Sequence, residues 1–285
     1  MTILQSVLLG ILQGIAEFLP VSSSGHLAVA QALFGLDDVP LLYDVMLHLA
    51  TLLAVLIYFW RKIFNLLKIL LIWIFRRPYL EESDPDDLLS GSEERGKRTI
   101  AAVFLTSAVT AVLGFCTSKL IPDFPVRLTC AGFVVTAVLL VLSYFMERRS
   151  ARINQNRPPK EEKGISALQA LFIGLMQGIG TLPGISRSGS TIAGAQFCGV
   201  NRTAAGEYSF IASIPAILGA FLLEAKDLGS VASGVGFIQV IAGCVSAFVF
   251  GYLALAFLMT LIKKGKLAWF ACYLVPLGIL GMIFF

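Results

Sequence analysis

Long apolar runs, separated by short polar segments, make up most of this chain. Two segments are strongly polar, 76–98 and 147–163, and a basic cluster, KKGK, occupies 263–266. A helix needs about 20 apolar residues to cross a bilayer. Residues 63–75 form a shorter apolar run flanked by arginines, which predicts an interfacial or short buried helix. The longer runs predict six transmembrane helices, at about 41–60, 99–119, 126–146, 204–224, 236–262 and 267–285.

The composition agrees with a membrane protein. Hydrophobic residues make up 57% of the chain and charged residues only 14%, whereas soluble domains carry about 25% charged residues. The mean hydropathy is +0.83. We therefore expect an all-α polytopic membrane protein with a single integral membrane domain over 1–285. The five cysteines are scattered singly through apolar segments, which is typical of buried thiols.

The basic residues predict the orientation of the chain. Cytoplasmic loops of membrane proteins are enriched in lysine and arginine, so we place 61–98, 147–163 and 263–266 inside the cell. Both ends of the chain then lie outside. These loops explain the net charge of +4, and we expect no nucleic-acid partner. The sequence does not fix the oligomeric state and leaves a homodimer open.

Two stretches do not fit as ordinary spans, 1–36 and 165–200. Each is apolar, breaks at proline and glycine beside a serine cluster, and then becomes apolar again. Irregular backbone at membrane depth is tolerated only where protein buries it or where it lines a cavity. We therefore predict two re-entrant helix–loop–helix units, the first entering from outside and the second from inside.

The two units are related in sequence. A shift of 164 residues gives nine identities over positions 4–25, and seven of the nine are Gln, Gly or Ser. Related units of opposite orientation form an inverted-topology repeat, which builds a shared site near the midplane. We place repeat 1 at about 1–60 and repeat 2 at about 165–224. The identical residues of the first unit are Leu4, Gln5, Gly10, Gln13, Gly14, Ile15, Ser22, Ser24 and Gly25.

Few ionisable residues lie within the apolar segments, and charges at that depth cost about 2.5–3.5 kcal/mol each on insertion scales. Asp44 and His48 are four apart on one helix face and could simply pair with each other. Glu207 could pair with Arg202 near the inner surface. The remaining three belong to the two units and are candidates for function: Glu17, His26 and Arg187.

The chemistry of these three residues indicates an anionic ligand. Arg187 offers a forked, permanently charged donor that suits phosphate, within a Gly- and Ser-rich run that opens a helix. A carboxylate that faces this anion needs a cation between them. Mg²⁺ or Ca²⁺ would take oxygen ligands from Glu17 and from the carbonyl of Gln13, four residues earlier on the same helix face. A serine near His26 could be a nucleophile activated by a neighbouring base.

At these motifs the chain resembles the bacterial undecaprenyl-diphosphate phosphatases, a family once named for bacitracin resistance. The family's first motif, (E/Q)xxxE followed by FLPVSSSGH, is present as Gln13 to Glu17 and then FLPVSSSGH. Its second, PGxSRSGxT, is PGISRSGST at 183–191. The resemblance covers essentially the whole chain. Many members carry Glu where this chain has Gln13.

The resemblance implies hydrolysis of undecaprenyl diphosphate, a polyprenyl lipid, to undecaprenyl phosphate and inorganic phosphate, which recycles a carrier for cell-wall synthesis. It implies that Glu17 with Gln13 holds the metal, that Arg187 grips the diphosphate and that His26 is the acid/base. Ser23 is the candidate nucleophile, although it could instead orient a water molecule. The expected substrate contacts are Ser22, Ser24, Ser186, Ser188, Gly189 and Thr191.

The resemblance further implies a bacterial inner-membrane location, with an active site that faces the periplasm. The main alternative is a secondary transporter or a flippase of a polyprenyl phosphate lipid, which would share the inverted repeat but would not need the Ser/Arg/His cluster. Lipid phosphatases of the acid-phosphatase type need a second histidine downstream of their arginine. The chain has only His26 and His48, which excludes that class.

Overall fold

The structure, a computed structural model, describes residues 1–36, 39, 41–76, 84, 86–120, 125–153, 164–224 and 235–284. Over this part of the chain the fold is all-helical. A short 3-10 turn, Leu267–Phe270, precedes the last helix. The α-helices are α1 (Ile3–Phe18), α2 (Ser23–Leu33), α3 (Leu41–Tyr58), α4 (Trp60–Phe75), α5 (Glu93–Leu120), α6 (Val126–Ile153), α7 (Ala167–Ile179), α8 (Arg187–Phe197), α9 (Arg202–Glu224), α10 (Phe237–Lys263) and α11 (Ala271–Phe284).

Among the described helices, five segments are long and apolar enough to cross a membrane: α5, α6, α9, α10, and the 3-10 turn together with α11. Helices α3 and α4 together make a sixth candidate, with a bend of 81° between them. These segments confirm the polytopic membrane architecture. Helix α4 exposes Trp60, Phe64 and Leu71, which fits the predicted interfacial position.

Two helices run further into the polar segments than the hydropathy pattern predicts. Helix α5 begins at Glu93, where we expected about residue 99, and α6 continues to Ile153 instead of ending near 146. In α5 the extra turn carries two i,i+4 ion pairs, Lys97 with Glu93 and Arg98 with Glu94, which stabilise exposed helix. Of the two predicted loops, residues 77–83, 85 and 154–163 lie outside the described residues, as do residues 121–124 between α5 and α6.

The first helix of each unit packs closely on a long helix from elsewhere in the chain. Helix α1 crosses α10 with Gly10 against the backbone of Gly243, so that a Cβ at Gly10 would collide with it. Helix α7 crosses α5, and there the equivalent Gly174 lies against Thr106. Small residues allow helix backbones to approach in a membrane, where packing and not water drives association. This packing holds each unit in place by its first helix.

The two units are built alike. Each first helix starts with a capping box, Thr2 with Gln5 in α1 and Ser166 with Gln169 in α7. Each second helix starts at a serine whose Oγ accepts from the N–H three residues later, Ser22 in one unit and Ser186 in the other. All three pairs of equivalent positions obey the 164-residue shift. The helix–break–helix shape agrees with the repeat, whereas the depth and direction at which each unit enters the bilayer stay predictions.

Candidate active site

The break in the first unit has a strained backbone. The segment after α1 contains Pro20, and Ser22 has φ 72°, in the left-handed region that a residue with a Cβ rarely adopts. Such strain persists only where surrounding structure holds it, and it clusters at functional sites. The Ser22 turn sets the direction of α2, and Ser23 is the first residue of that helix.

The break in the second unit is held by its neighbours on α6. Gly184 has φ 87°, and a side chain there would collide with the backbone of Thr129. The Ser186 N–H donates to Thr136 Oγ1 at 2.9 Å. Helix α8 therefore begins in a fixed, buried position, with Arg187 as its first residue.

Glu17 lies where the two breaks meet, and its carboxylate contacts four side chains. Oε1 accepts a hydrogen bond from Nη2 of Arg187. Oε2 accepts from Ser23 Oγ at 2.6 Å and from Gln13 Nε2 at 3.0 Å, and His48 Nε2 lies 3.4 Å from the same oxygen. The side chain of Glu17 is only 4% exposed and that of Arg187 21%. The structure thus brings together Gln13, Glu17, Ser23 and Arg187 from the predicted set.

His26 lies beside this group without joining it. Its Nδ1 is 2.8 Å from the main-chain oxygen of Ser22, and its Nε2 is 2.8 Å from the hydroxyl of Tyr273. The ring also lies against Phe133, with centroids 5.0 Å apart. Both ring nitrogens are therefore engaged away from Ser23. Tyr273 is an additional residue at this site that no sequence signal indicated.

Two of the predicted substrate-binding residues of the second motif, Ser188 and Gly189, contact the break of the first unit, whereas Thr191 bonds within its own helix. Ser188 Oγ donates to the main-chain oxygen of Phe18 at 3.2 Å, which joins α8 to the end of α1. Thr191 Oγ1 bonds the Arg187 carbonyl at 2.6 Å. A side chain at Gly189 would press on Pro20. These contacts give the residues a bracing role here, and their contact with phosphate stays a prediction.

The sequence suggested two ion pairs, Asp44 with His48 and Glu207 with Arg202, and both predictions are wrong. Asp44 Oδ1 accepts from Gln31 of α2, whereas the His48 side chain turns to Glu17 and bonds only the main chain of Asp44. Spacing within one helix cannot show which neighbouring helix lies closer.

Glu207 pairs with Lys62 at the start of α4. Arg202 instead pairs with Glu147 at the end of α6, at 2.8 Å. Both Arg202 and Glu207 thus pair with a residue of a neighbouring helix and not with each other along α9. His48 is one of the few ionisable residues in the apolar segments, and its position there could have assigned it to the site.

A narrow cavity adjoins the Glu17–Arg187 pair, with a volume of about 10 Å³. This volume is close to the minimum for one water molecule. While Glu17 and Arg187 are in contact, the cavity therefore has no room for a diphosphate. Helix α9 supplies the far wall, a contribution that the sequence motifs did not specify. Its residues at the cavity are Ser209, Phe210, Ser213 and Ile217.

Comparison with known proteins places the chain among close relatives. A family described as Bacitracin resistance protein BacA matches residues 6–280. An undecaprenyl-diphosphatase of Treponema denticola is 45% identical over 285 residues, covering 100% of this chain and 98% of the relative. Enzymes of the same name from Methanosphaera stadtmanae and Borrelia recurrentis are 36% and 34% identical, over 99% of this chain and 97% and 98% of theirs.

Proposed function

The chain belongs to the bacitracin resistance protein BacA family, and we propose on that basis that it hydrolyses undecaprenyl diphosphate to undecaprenyl phosphate and inorganic phosphate. This reaction recycles a lipid carrier for cell-wall synthesis. One observation carries the proposal at the level of the site: the Glu17 carboxylate contacts the serine of the first motif and the arginine of the second. The proposed nucleophile Ser23, its base Glu17 and the phosphate-binding guanidinium of Arg187 are therefore adjacent.

Ser23 is the nucleophile in this proposal, and Glu17 is its base. The Oγ–H of Ser23 already donates to Glu17 Oε2 at 2.6 Å, the reach expected of a nucleophile and its base. Attack of Oγ on the terminal phosphorus forms the Oγ–P bond, and the serine proton passes to Glu17. The bond from that phosphorus to the bridging oxygen breaks, and undecaprenyl phosphate leaves. Water then hydrolyses the phosphoserine and releases inorganic phosphate.

Arg187 binds the diphosphate. Its guanidinium is permanently charged and can donate two parallel hydrogen bonds to phosphate oxygens. In the structure Glu17 accepts from it, and the incoming diphosphate takes the place of Glu17 as the partner of Arg187. This exchange opens the narrow cavity and directs positive charge at the oxygens where negative charge develops. The N-terminus of α8 adds its own partial positive charge.

A divalent cation fits beside Gln13 and Glu17. Gln13 Oε1 is buried and has no hydrogen-bond partner among the described residues, a cost that a bound cation would remove. Amide and carboxylate oxygens suit Mg²⁺ and Ca²⁺. A carboxylate offers about four lone-pair sites, so Glu17 can accept from Ser23 and bind a cation as well. The cation, when bound, neutralises phosphate charge that would otherwise repel Glu17.

His26 assists proton movement in this proposal. It follows Ser23 by three residues on α2, so both side chains lie on one face of that helix. In this proposal the contact between Nε2 and the Tyr273 hydroxyl opens, and Nε2 then exchanges a proton with a water molecule near the site. Little acid catalysis is needed from His26, because the leaving group is itself a phosphate. Ser22, Ser24, Ser186, Ser188, Gly189 and Thr191 would complete the substrate site as it opens.

The protein is a multi-pass membrane protein. We further propose that it lies in the bacterial inner membrane with the active site open to the periplasm. The basic segments predicted to be cytoplasmic support this orientation. A homodimer remains a prediction from sequence.

The test is phosphate release by the full-length protein, purified in detergent. We expect inorganic phosphate and undecaprenyl phosphate from undecaprenyl diphosphate, and no release from undecaprenyl monophosphate. Activity should vanish with EDTA and return with Mg²⁺ or Ca²⁺. An unchanged diphosphate lipid would refute the proposed activity. Release that EDTA does not affect would remove the cation from the proposal.

A further inference from the structure

The ring of His48 is held in one orientation. Its Nδ1 is 2.7 Å from the main-chain oxygen of Asp44, one turn earlier on α3. A carbonyl oxygen can only accept, so Nδ1 carries the hydrogen of this bond. In the neutral ring the other nitrogen, Nε2, then presents a lone pair. Ligating histidines in metalloproteins almost always donate their second ring N–H in this way, often to a backbone carbonyl.

The lone pair of His48 points at another acceptor. Its Nε2 is 3.4 Å from Oε2 of Glu17, whose side chain is only 4% exposed. An ionised carboxylate cannot donate, so two electron-rich atoms face each other at the edge of the buried site, where the His48 side chain is 26% exposed. The separation is longer than the usual hydrogen-bond range, about 2.7–3.2 Å. Adjacent ligands of an octahedral ion lie about 3.0–3.4 Å apart when each is about 2.1–2.4 Å from the ion, so this separation also suits two ligands of one cation.

Gln13 completes this arrangement. Its Nε2 is 3.0 Å from the same Glu17 oxygen, while its Oε1 is buried and lacks a partner among the described residues. Rotation of the amide by half a turn about its last bond exchanges the two atoms. The carbonyl oxygen then lies beside the same Glu17 oxygen that His48 Nε2 faces. Both neighbours of Glu17 Oε2, one from α1 and one from α3, can thus offer a lone pair to an ion bound at that oxygen.

We infer that His48 is a ligand of the divalent cation, through Nε2, together with Glu17 and the carbonyl oxygen of Gln13. This inference rests on the cation in the proposed function and extends it, because it names a ligand outside both sequence motifs. An imidazole nitrogen also changes the preferred metal. Oxygen-only sites suit Mg²⁺ and Ca²⁺, whereas one imidazole favours first-row transition metals. The site is therefore expected to prefer Mn²⁺ over Ca²⁺.

Pulsed electron paramagnetic resonance with Mn²⁺ tests the ligand directly, without an activity measurement. The sample is the full-length, detergent-purified protein loaded with one equivalent of Mn²⁺. We expect nitrogen modulation of the Mn²⁺ echo, typical of a bound imidazole, in the wild type. The modulation should disappear in His48→Gln, whose amide oxygen can still bind the ion, and it should persist in His26→Gln.

The Mn²⁺ affinity provides a second readout. The Kd measured by equilibrium dialysis should rise at least about tenfold in His48→Ala, because loss of even an outer-shell partner of a metal ligand costs about tenfold or more. The rise should be smaller in His48→Gln. Bound Mn²⁺ without nitrogen modulation in the wild type would overturn the inference. That result is expected if His48 is instead a protonated imidazolium that pairs with Glu17. The proposed function would survive that result if Glu17→Ala still abolished Mn²⁺ binding. Modulation lost in His26→Gln instead would also overturn it.

Discussion

Glu17 of α1 and Arg187 of α8 are 170 positions apart in sequence, yet the arginine donates a hydrogen bond directly to the carboxylate. Each belongs to a different broken-helix unit, so the pair forms only when the two units pack together. An unpaired charge in such a buried place is costly. Each side chain therefore compensates the charge of the other until an anionic substrate replaces one partner.

The charge of Glu17 is expected to matter more than its shape. Glu17→Gln preserves the size of the side chain but removes the base and most of the attraction for Arg187 and for a cation. We expect turnover to fall at least about 10²-fold, the scale for loss of a main electrostatic stabiliser. The assay is phosphate release. Glu147→Gln, which removes the ion pair with Arg202, is the control, and similar rates in both variants would contradict the assignment.

Ser23 is expected to carry the phosphoryl group transiently. Acid quenching of the wild type during turnover, followed by mass spectrometry of peptides, should show phosphate on Ser23. Ser23→Ala should remove this adduct and lower turnover by at least about 10²-fold. Ser246→Ala is the control, because the Ser246 hydroxyl donates to the main-chain oxygen of Ala242 in its own helix, α10. A full loss of activity in Ser23→Ala, with no adduct ever trapped in the wild type, would favour direct attack by water.

Gln13→Glu should retain activity and bind the cation more tightly. The substitution places an anionic oxygen where the structure has the amide beside Glu17, and carboxylates are preferred ligands of Mg²⁺ and Ca²⁺. The measurement is the concentration of Mg²⁺ that restores half of the phosphate release after EDTA treatment, which should fall. Complete inactivity of this variant would mean that position 13 does not face the cation.

A larger residue at the close crossing of α1 and α10 is expected to lower the stability of the protein. In Gly10→Val the new side chain collides with the backbone of Gly243, and overpacking costs about 1–3 kcal/mol or more. We expect a clear fall in thermal stability and in the monodisperse fraction on gel filtration. Gly114→Val should behave like the wild type, since a Cβ there meets no described atom within 4 Å. Equal stability of the two variants would refute the packing argument.

The sequence predicted the helical membrane class, the two broken units and four of the residues that meet between them, Gln13, Glu17, Ser23 and Arg187. Those features follow from local signals: apolar length, proline and glycine at a break, and polar residues where hydrocarbon is expected. The contact between Ser23 and Glu17 was within reach because both belong to one motif.

The sequence failed where the answer depended on packing between helices. His48 was expected to have a partner on its own helix, but the Glu17 side chain of α1 lies nearer to its ring. Tyr273 comes from the last helix and carries no motif, so its contact with His26 could not be foreseen. Helix α5 starts earlier than predicted because charged residues, which hydropathy counts as loop, form ion pairs along the helix.

The predicted orientation can be tested with single cysteines in a cysteine-free background. Arg127→Cys, at the start of α6, should react with a membrane-impermeant thiol reagent in intact cells. Lys264→Cys, just after α10, should react only after permeabilisation. Both positions are exposed, so accessibility within the protein does not limit the comparison. The opposite labelling pattern would invert the topology and place the opening of the site on the cytoplasmic side.

If Arg187 and Glu17 form the centre of a diphosphatase site, removal of the Arg187 guanidinium should abolish most phosphate release, which Arg187→Ala measures. The variant would be compared with the wild type and with Arg127→Ala, which removes an exposed arginine far along the chain from both motifs. We predict that Arg187→Ala loses at least about 10²-fold in turnover of undecaprenyl diphosphate while it purifies like the wild type, and that Arg127→Ala keeps its activity. Turnover of Arg187→Ala near the wild-type rate would show that Arg187 does not bind the diphosphate.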